Sequence, residues 1–191
     1  MHINICSLNS GSNANCYYIG NDNEAVLIDA GLSCRETEKR MNGLALSMDK
    51  LKAIFISHEH SDHVTGLAGI SKKYQLPVYI TEGTFANCKV PVEENLIQHF
   101  QEKKPVSIGN LKITSFKKNH DAADAHSFMV SGYGVNVGVI TDIGFACKKV
   151  IIRKLLIIII FLIFSPFILQ YLFIPLSLLL IYLYLHLLKE I

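Results

Sequence analysis

Along the first three quarters of the chain, apolar positions come in short runs broken by Gly, Asn, Ser and Asp. Residues 2–8 and 15–19 read as short strands, with Ser10–Asn13 between them as a tight turn or loop. Glu24–Asp29 (EAVLID) reads as a strand ending at Asp29-Ala30-Gly31. Ser33 followed by Glu36 is a capping box and predicts a helix to about Leu46. Ala53–Ser57 (AIFIS) is a short apolar run suited to a buried strand, and it opens directly into His58-Glu59-His60-Ser61-Asp62-His63. A helix is expected from Val64 to about Tyr74, ended by Pro77, and then a strand at Val78–Thr81. Ile108–Phe116, Ser127–Ser131 and Val135–Thr141 continue the β pattern, with Gly132-Tyr133-Gly134 as a hairpin turn. Strands and helices alternate early and strands dominate later. This order predicts an α/β sandwich in which loops at strand ends carry the site.

Near residue 150 the pattern changes. Residues 1–150 hold 15 Lys+Arg and 15 Asp+Glu, whereas the 34 residues from Leu155 to Leu188 hold no charged residue. The chain of 191 residues therefore reads as two unlike pieces, a domain over 1–149 and an apolar tail over 150–191. The neutral first piece excludes a strongly basic nucleic-acid-binding domain, and the composition excludes a disordered or collagen-like chain. The five cysteines are odd in number and form no CxxC pair, which fits small buried residues in a reducing compartment. No signal peptide opens the chain, so the first piece is expected in the cytoplasm.

Four potential metal ligands crowd the six residues His58–His63. On a helix His58 and His60 would point about 200° apart, but in an extended segment residues i and i+2 share a face. His58 and His60 can then grip one ion while the following turn carries Asp62 and His63 to a second. Imidazole and carboxylate donors suit Zn²⁺ first, with Mn²⁺ or Fe as alternatives. Glu59 and Ser61 alternate away and support the loop. His2, His99 and His186 stand alone and read as ordinary surface or core residues. The lysine pairs Lys72-Lys73, Lys103-Lys104 and Lys117-Lys118 read as solvated surface, with a nucleic-acid backbone as the sharper alternative.

HxHxDH after an apolar strand resembles the signature of the metallo-β-lactamase superfamily. Leu27-Ile28-Asp29-Ala30-Gly31 is similar to that family's first motif, His120 in Asn119-His120-Asp121-Ala122 to its third-motif histidine, and Asp142 in Val139-Ile140-Thr141-Asp142 to its bridging carboxylate. With Ser10-Gly11-Ser12-Asn13 and Gly138–Gly144, the series resembles the YycJ-type branch of phosphodiesterases or exonucleases over residues 1 to about 149. The resemblance implies an αββα sandwich and two divalent ions. His58, His60 and His120 would hold the first, Asp62 and His63 the second, and Asp142 would bridge them. Asp62 and Asp142 are then the catalytic carboxylates, and Asp29 would organise the site by hydrogen bonding. His126 is a second choice for the place of His120. A hydroxide between the ions would attack phosphorus or a carbonyl carbon, and the branch favours a phosphodiester or nucleic-acid substrate over a lactam, lactone or thioester.

The family pattern continues past Asp142 and ends on a further histidine for the second ion. Here only His186 follows, in the apolar context Tyr184-Leu185-His186-Leu187, so the chain resembles a C-terminally truncated member whose second ion is one ligand short. Two readings of the tail stand. One is a membrane anchor, with Lys148, Lys149, Arg153 and Lys154 keeping the metal domain cytoplasmic. As one helix it would run about 51 Å, well beyond a ~30 Å hydrocarbon core. The other is a shifted reading frame in AT-rich DNA. Gly, Ala, Val, Asp and Glu number 49 in residues 1–150 and none in 151–188. Rival functions are a hydrolase of small esters or lactams on the same site, and a non-catalytic, membrane-associated metal-binding remnant.

Overall fold

The computed structural model describes residues 2–142. The apolar tail, Cys147, His186 and the expected boundary near residue 149 lie outside them. The described chain forms ten strands and four helices: β1 (Asn4–Asn9), β2 (Cys16–Gly20), β3 (Ala25–Ile28), α1 (Cys34–Gly43), β4 (Leu51–Phe55), α2 (Ser61–Val64), α3 (Leu67–Tyr74), β5 (Val78–Ile80), α4 (Glu82–Asn87), β6 (Ile97–His99), β7 (Val106–Ile108), β8 (Leu111–Lys117), β9 (His126–Gly132) and β10 (Val135–Val139). β1 to β6 lie in sequence order in one six-stranded sheet, and β10-β9-β8-β7 make a four-stranded antiparallel sheet. In the larger sheet β1, β2 and β3 pair antiparallel, and β3 to β6 pair parallel.

Side-chain alternation explains the layering. Tyr17, Ile19, Val26, Ile28, Ala53 and Phe55 face the smaller sheet and pack with Phe100, Leu111, Ile113, Phe128, Val130 and Val137. The alternate residues Cys16, Tyr18, Ala25, Leu27, Ile54 and Ile56 face the helices and pack with Met41, Val64, Leu67 and Ile70. Strands buried on both faces need continuous apolar runs, which is why β3 and β4 read as AVLI and AIF rather than as alternating patterns. Among the described residues the layers are therefore helix, sheet, sheet, three layers of the expected α/β αββα sandwich.

Ser33 caps α1 as expected, its side chain accepting from the Glu36 amide. The β9–β10 turn is the two-residue Tyr133-Gly134, with both φ angles positive (48° and 77°), as a type I′ hairpin requires. Two expectations need correcting. Ile108–Phe116 is not one strand, because Gly109 (φ +56°) and Asn110 turn the chain between β7 and β8. Glu24 closes that turn by accepting from the Asn110 amide at 2.9 Å, and a Cβ on Gly109 would lie 2.5 Å from the Glu24 carboxyl carbon. The second correction concerns the helix expected from Val64 to about Tyr74, which is two helices, α2 beginning at Ser61 and α3 beginning after Gly66. His58 to His60 are extended, but Ser61 already starts α2, so Asp62 and His63 sit in a helical turn. The sequence reading also passed over α4 and β6, which are too short to show an apolar period.

Candidate metal centre

The site forms where the parallel strands β3 and β4 end. The backbones of their two exit loops are laced together: Asp29 N donates to Phe55 O, Ala30 N to His63 O at 2.8 Å and Gly66 N to Ala30 O at 2.8 Å, and the β1–β2 loop joins them through Asn15 N donating to Asp62 O at 2.6 Å. The smaller sheet adds the loop after β8, which carries His120, and the segment after β10, which carries Asp142. His126 N donates to Ser57 O at 2.9 Å and joins the two sheets directly beside the site.

Asp29, fully buried, organises one side. Its Oδ1 accepts from the Ser57 amide at 2.8 Å, and its Oδ2 from the Ser57 hydroxyl at 2.9 Å. The hydroxyl proton is thereby spent, so Ser57 Oγ must accept from His58 Nδ1, 2.9 Å away. His58 Nε2 is left as a bare lone pair, buried and with no hydrogen-bond partner. Burial, with His63 and the other nearby cations adding to it, pushes the His58 pKa down to about 2, so the ring is neutral.

Asp121 orients two more rings. His60 Nε2 donates to the Asp121 carbonyl at 3.2 Å, which turns Nδ1 toward the centre. His120 Nδ1 lies 3.1 Å from the Asp121 carboxylate, which turns Nε2 toward the centre. These two nitrogens lie 3.3 Å apart, within hydrogen-bond distance, and with His58 they form a group whose ligand atoms all lie within 4.8 Å of one another. Three imidazole nitrogens converging at this spacing offer a set of donors to one cation. The donor set fits a divalent ion of the zinc type.

A second group joins His58, His63 and Asp142. His63 Nδ1 meets Asp29 Oδ2 at 2.7 Å, and Nε2 meets Asp142 Oδ2 at 2.7 Å. Burial opposes charge on this ring, but the two carboxylates prevail and raise its pKa to about 9. The His63 hydrogen bond, against opposing burial, lowers Asp142 to about 2. Asp142 Oδ2 is also 3.8 Å from His58 Nε2, so the carboxylate lies between the two groups. Asp62 reaches the second group at 3.4 Å from His63 Nε2.

All six candidate ligands, His58, His60, Asp62, His63, His120 and Asp142, thus come to one place. His126 does not: it is buried against Phe100, with Nδ1 on the Asp124 carbonyl at 2.9 Å. Ser57 and Asn15 escaped the sequence reading. Asn15 Nδ2 lies 3.1 Å from Asp62 Oδ2 and 3.0 Å from His63 Nε2. A serine before the motif and an asparagine in an Asn-rich loop carry no distinguishing sequence signal. Glu59 supports the site as expected, its Oε1 accepting from the Ala123 amide at 2.8 Å and pinning the loop that bears His120.

Comparison with known proteins bears on the family and the fold. The family model described as the metallo-beta-lactamase superfamily matches residues 10–144. The exodeoxyribonuclease YycJ of Bacillus anthracis is 32% identical over 154 residues, covering 78% of this chain and 58% of that protein. The exodeoxyribonuclease WalJ of Streptococcus pneumoniae serotype 2 is 29% identical, covering 74% and 55%. The chain therefore spans little more than half the length of these curated relatives. The crystal structure of the metallo-beta-lactamase fold protein YhfI from Bacillus subtilis superposes with a TM-score of 0.59 at 18% identity, covering 72% of this chain and 62% of that one. At that identity the likeness speaks for the fold alone. The match over most of the described residues, with the motifs and the arrangement above, makes the chain a member of the metallo-beta-lactamase superfamily.

Proposed function

We propose that this chain is a divalent-metal-dependent hydrolase acting on phosphodiesters, a nuclease of the exodeoxyribonuclease type, with residues 1–149 as its metal-binding domain. The observation that carries the reading is the convergence of three imidazole nitrogens, His58 Nε2, His60 Nδ1 and His120 Nε2, beside the His63–Asp142 pair. The printed activity of the two curated relatives supports the choice of phosphodiester over lactam.

His58, His60 and His120 would hold one ion; Asp62 and His63 would hold a second, and Asp142 would bridge. A bound pair of divalent ions supplies Lewis acidity and lowers the pKa of water held between them. The chain's own residues prepare the place. Burial keeps His58 neutral, and Asp29 aims it through Ser57. Asp121 orients His60 through its carbonyl and His120 through its carboxylate. His63 must give up its Nε2 proton before that nitrogen can ligate, and Asp142 beside it is held ionised. Asn15 steadies the Asp62 carboxylate. Zn²⁺ is the favoured ion, with Mn²⁺ or Fe as alternatives. Cys6, Cys16, Cys34 and Cys88 are free, which supports a cytoplasmic, reducing setting. Among the described residues no helix is long and apolar enough to cross a membrane.

The test uses the full chain, purified with its metal content measured, on linear DNA labelled at one end. Stepwise loss of the label that stops with a chelator and resumes with Zn²⁺ or Mn²⁺ is expected. His58→Ala should lower the rate by at least about 100-fold, the upper end of what a lost supporting partner costs a metal site. A chain that retains no ion after dialysis against Zn²⁺ would overturn the reading. So would hydrolysis of a lactam or lactone with no turnover of DNA or bis(p-nitrophenyl) phosphate.

A further inference from the structure

Lys117 and Lys118 look alike in sequence, but the structure treats them differently. Lys117 ends β8, is exposed and pairs with Asp124 at 3.0 Å. Lys118 turns inward. Its backbone amide is fixed on the Ala125 carbonyl at 3.0 Å, at the base of the loop that carries His120. Its ammonium crosses from β8 to the chain leaving β10, donating to Thr141 O at 2.8 Å and to Thr141 Oγ1 at 3.2 Å. A half-buried cation donating to two acceptors on one residue makes a clamp, because charge-assisted hydrogen bonds are the strong ones.

What the clamp holds is the peptide before Asp142. Asp142 has φ +49°, a left-handed conformation that is uphill for a residue with a Cβ and persists only where its surroundings enforce it. The Thr141 carbonyl carbon is one of the atoms that define that angle. Holding its oxygen therefore holds the direction in which the Asp142 carboxylate leaves the chain, toward His63 Nε2 at 2.7 Å and His58 Nε2 at 3.8 Å.

We propose that Lys118 is a positioning residue that aims the Asp142 carboxylate into the metal centre by clamping Thr141. The proposal rests on the reading that Asp142 helps hold the second ion. It gives Lys118 a task distinct from ligation and from contact with substrate.

The experiment titrates the full chain with Zn²⁺ against a chromophoric chelator, and with Co²⁺ followed by its visible absorption. Wild type, Lys118→Met, Lys118→Arg and Thr141→Val are compared, each checked for folding by circular dichroism. Lys118→Met should weaken the second equivalent about 10–100-fold and the first, which keeps three histidines, by less. The Co²⁺ bands of the second equivalent should shift, and Lys118→Arg, which can also reach with two donors, should restore most of the affinity. Wild-type affinity for both equivalents in a folded Lys118→Met protein overturns the assignment of Lys118 while leaving the metal reading intact. A wild-type chain that takes up fewer than two ions overturns the dinuclear reading, and this assignment with it. Should Lys118→Met not fold, Thr141→Val decides, with a smaller weakening of the second equivalent expected and unchanged affinity counting against the clamp.

Discussion

Asp29 joins two of the candidate ligands through one carboxylate: Oδ2 pairs with His63 Nδ1, and the same oxygen takes the Ser57 proton that sets the His58 tautomer. Removing one partner of a fully buried ion pair leaves the other uncompensated. Asp29→Asn should therefore cost about 3 kcal/mol of stability in the metal-free chain, measured by urea unfolding, and weaken metal binding about 10–100-fold. The titration behaviour follows from the same residues. His63 has its pKa raised to about 9, so its stabilising charge is fully present below the ordinary value of 6.5 and lost as pH rises through 9. His58 has its pKa lowered to about 2, so below 6.5 the unfolded chain gains a proton that the folded one refuses. Asp142, lowered to about 2, adds a loss of stability as pH falls below the ordinary carboxylate range. The metal-free protein should be most stable near pH 6.5 and weaken on both sides, which thermal unfolding from pH 4 to 10 would show. Ion uptake should instead tighten as pH rises toward 9, with protons released, because His63 must lose Nε2–H before it can ligate.

Between elements, the site depends on backbone approaches that admit no side chain. A Cβ on Gly31 would fall 1.8 Å from the Asp62 carbonyl oxygen, and one on Gly66 would fall 1.7 Å from that of Leu32. These glycines let the exit of β3 lie against α2 and the start of α3. Gly31→Ala should push α2 away and displace Asp62 and His63 together. The expected result is loss of the second ion and a lower melting temperature, read by metal analysis and calorimetry. An unchanged metal content would show that the loops tolerate separation. The sequence displayed this junction only in part. Asp29-Ala30-Gly31 was visible as a strand end, and the density of histidines marked the second loop. The 1.8 Å approach that requires Gly31 is set by atoms 31 residues away, which local pattern does not report. The break at Gly109 was hidden for a similar reason, since Glu24 closes that turn from the other sheet.

For the whole described molecule, ligands arrive from two sheets. His58, His60, Asp62 and His63 follow β4 of the larger sheet, while His120 and Asp142 follow β8 and β10 of the smaller. Their meeting depends on the packing between the sheets, where Phe128 touches Phe55 and Phe100 with ring centroids 5.8 Å and 5.4 Å apart. Phe128→Ala should cost about 3–5 kcal/mol through lost burial and the cavity left behind. If the sheets position the ligands as described, it should also weaken metal binding although Phe128 contacts no ligand. Unfolding curves and metal titration of the same sample test both parts. A stable variant with undiminished metal affinity would mean that the loops hold the centre without the sheet interface.

Local chemistry alone determined much of this protein. The short apolar runs fixed β3 and β4, Ser33 and Glu36 fixed the start of α1, and the crowding of His58 to His63 marked a metal site and its donor types. These features act over a few residues, so the order of residues carries them. Tertiary structure decided which nitrogen of each histidine faces the centre, that Ser57 and Asn15 take part, and that Lys118 turns inward while Lys117 does not. Each of those outcomes depends on partners brought close by packing of the two sheets, and distance along the chain says nothing of distance in space.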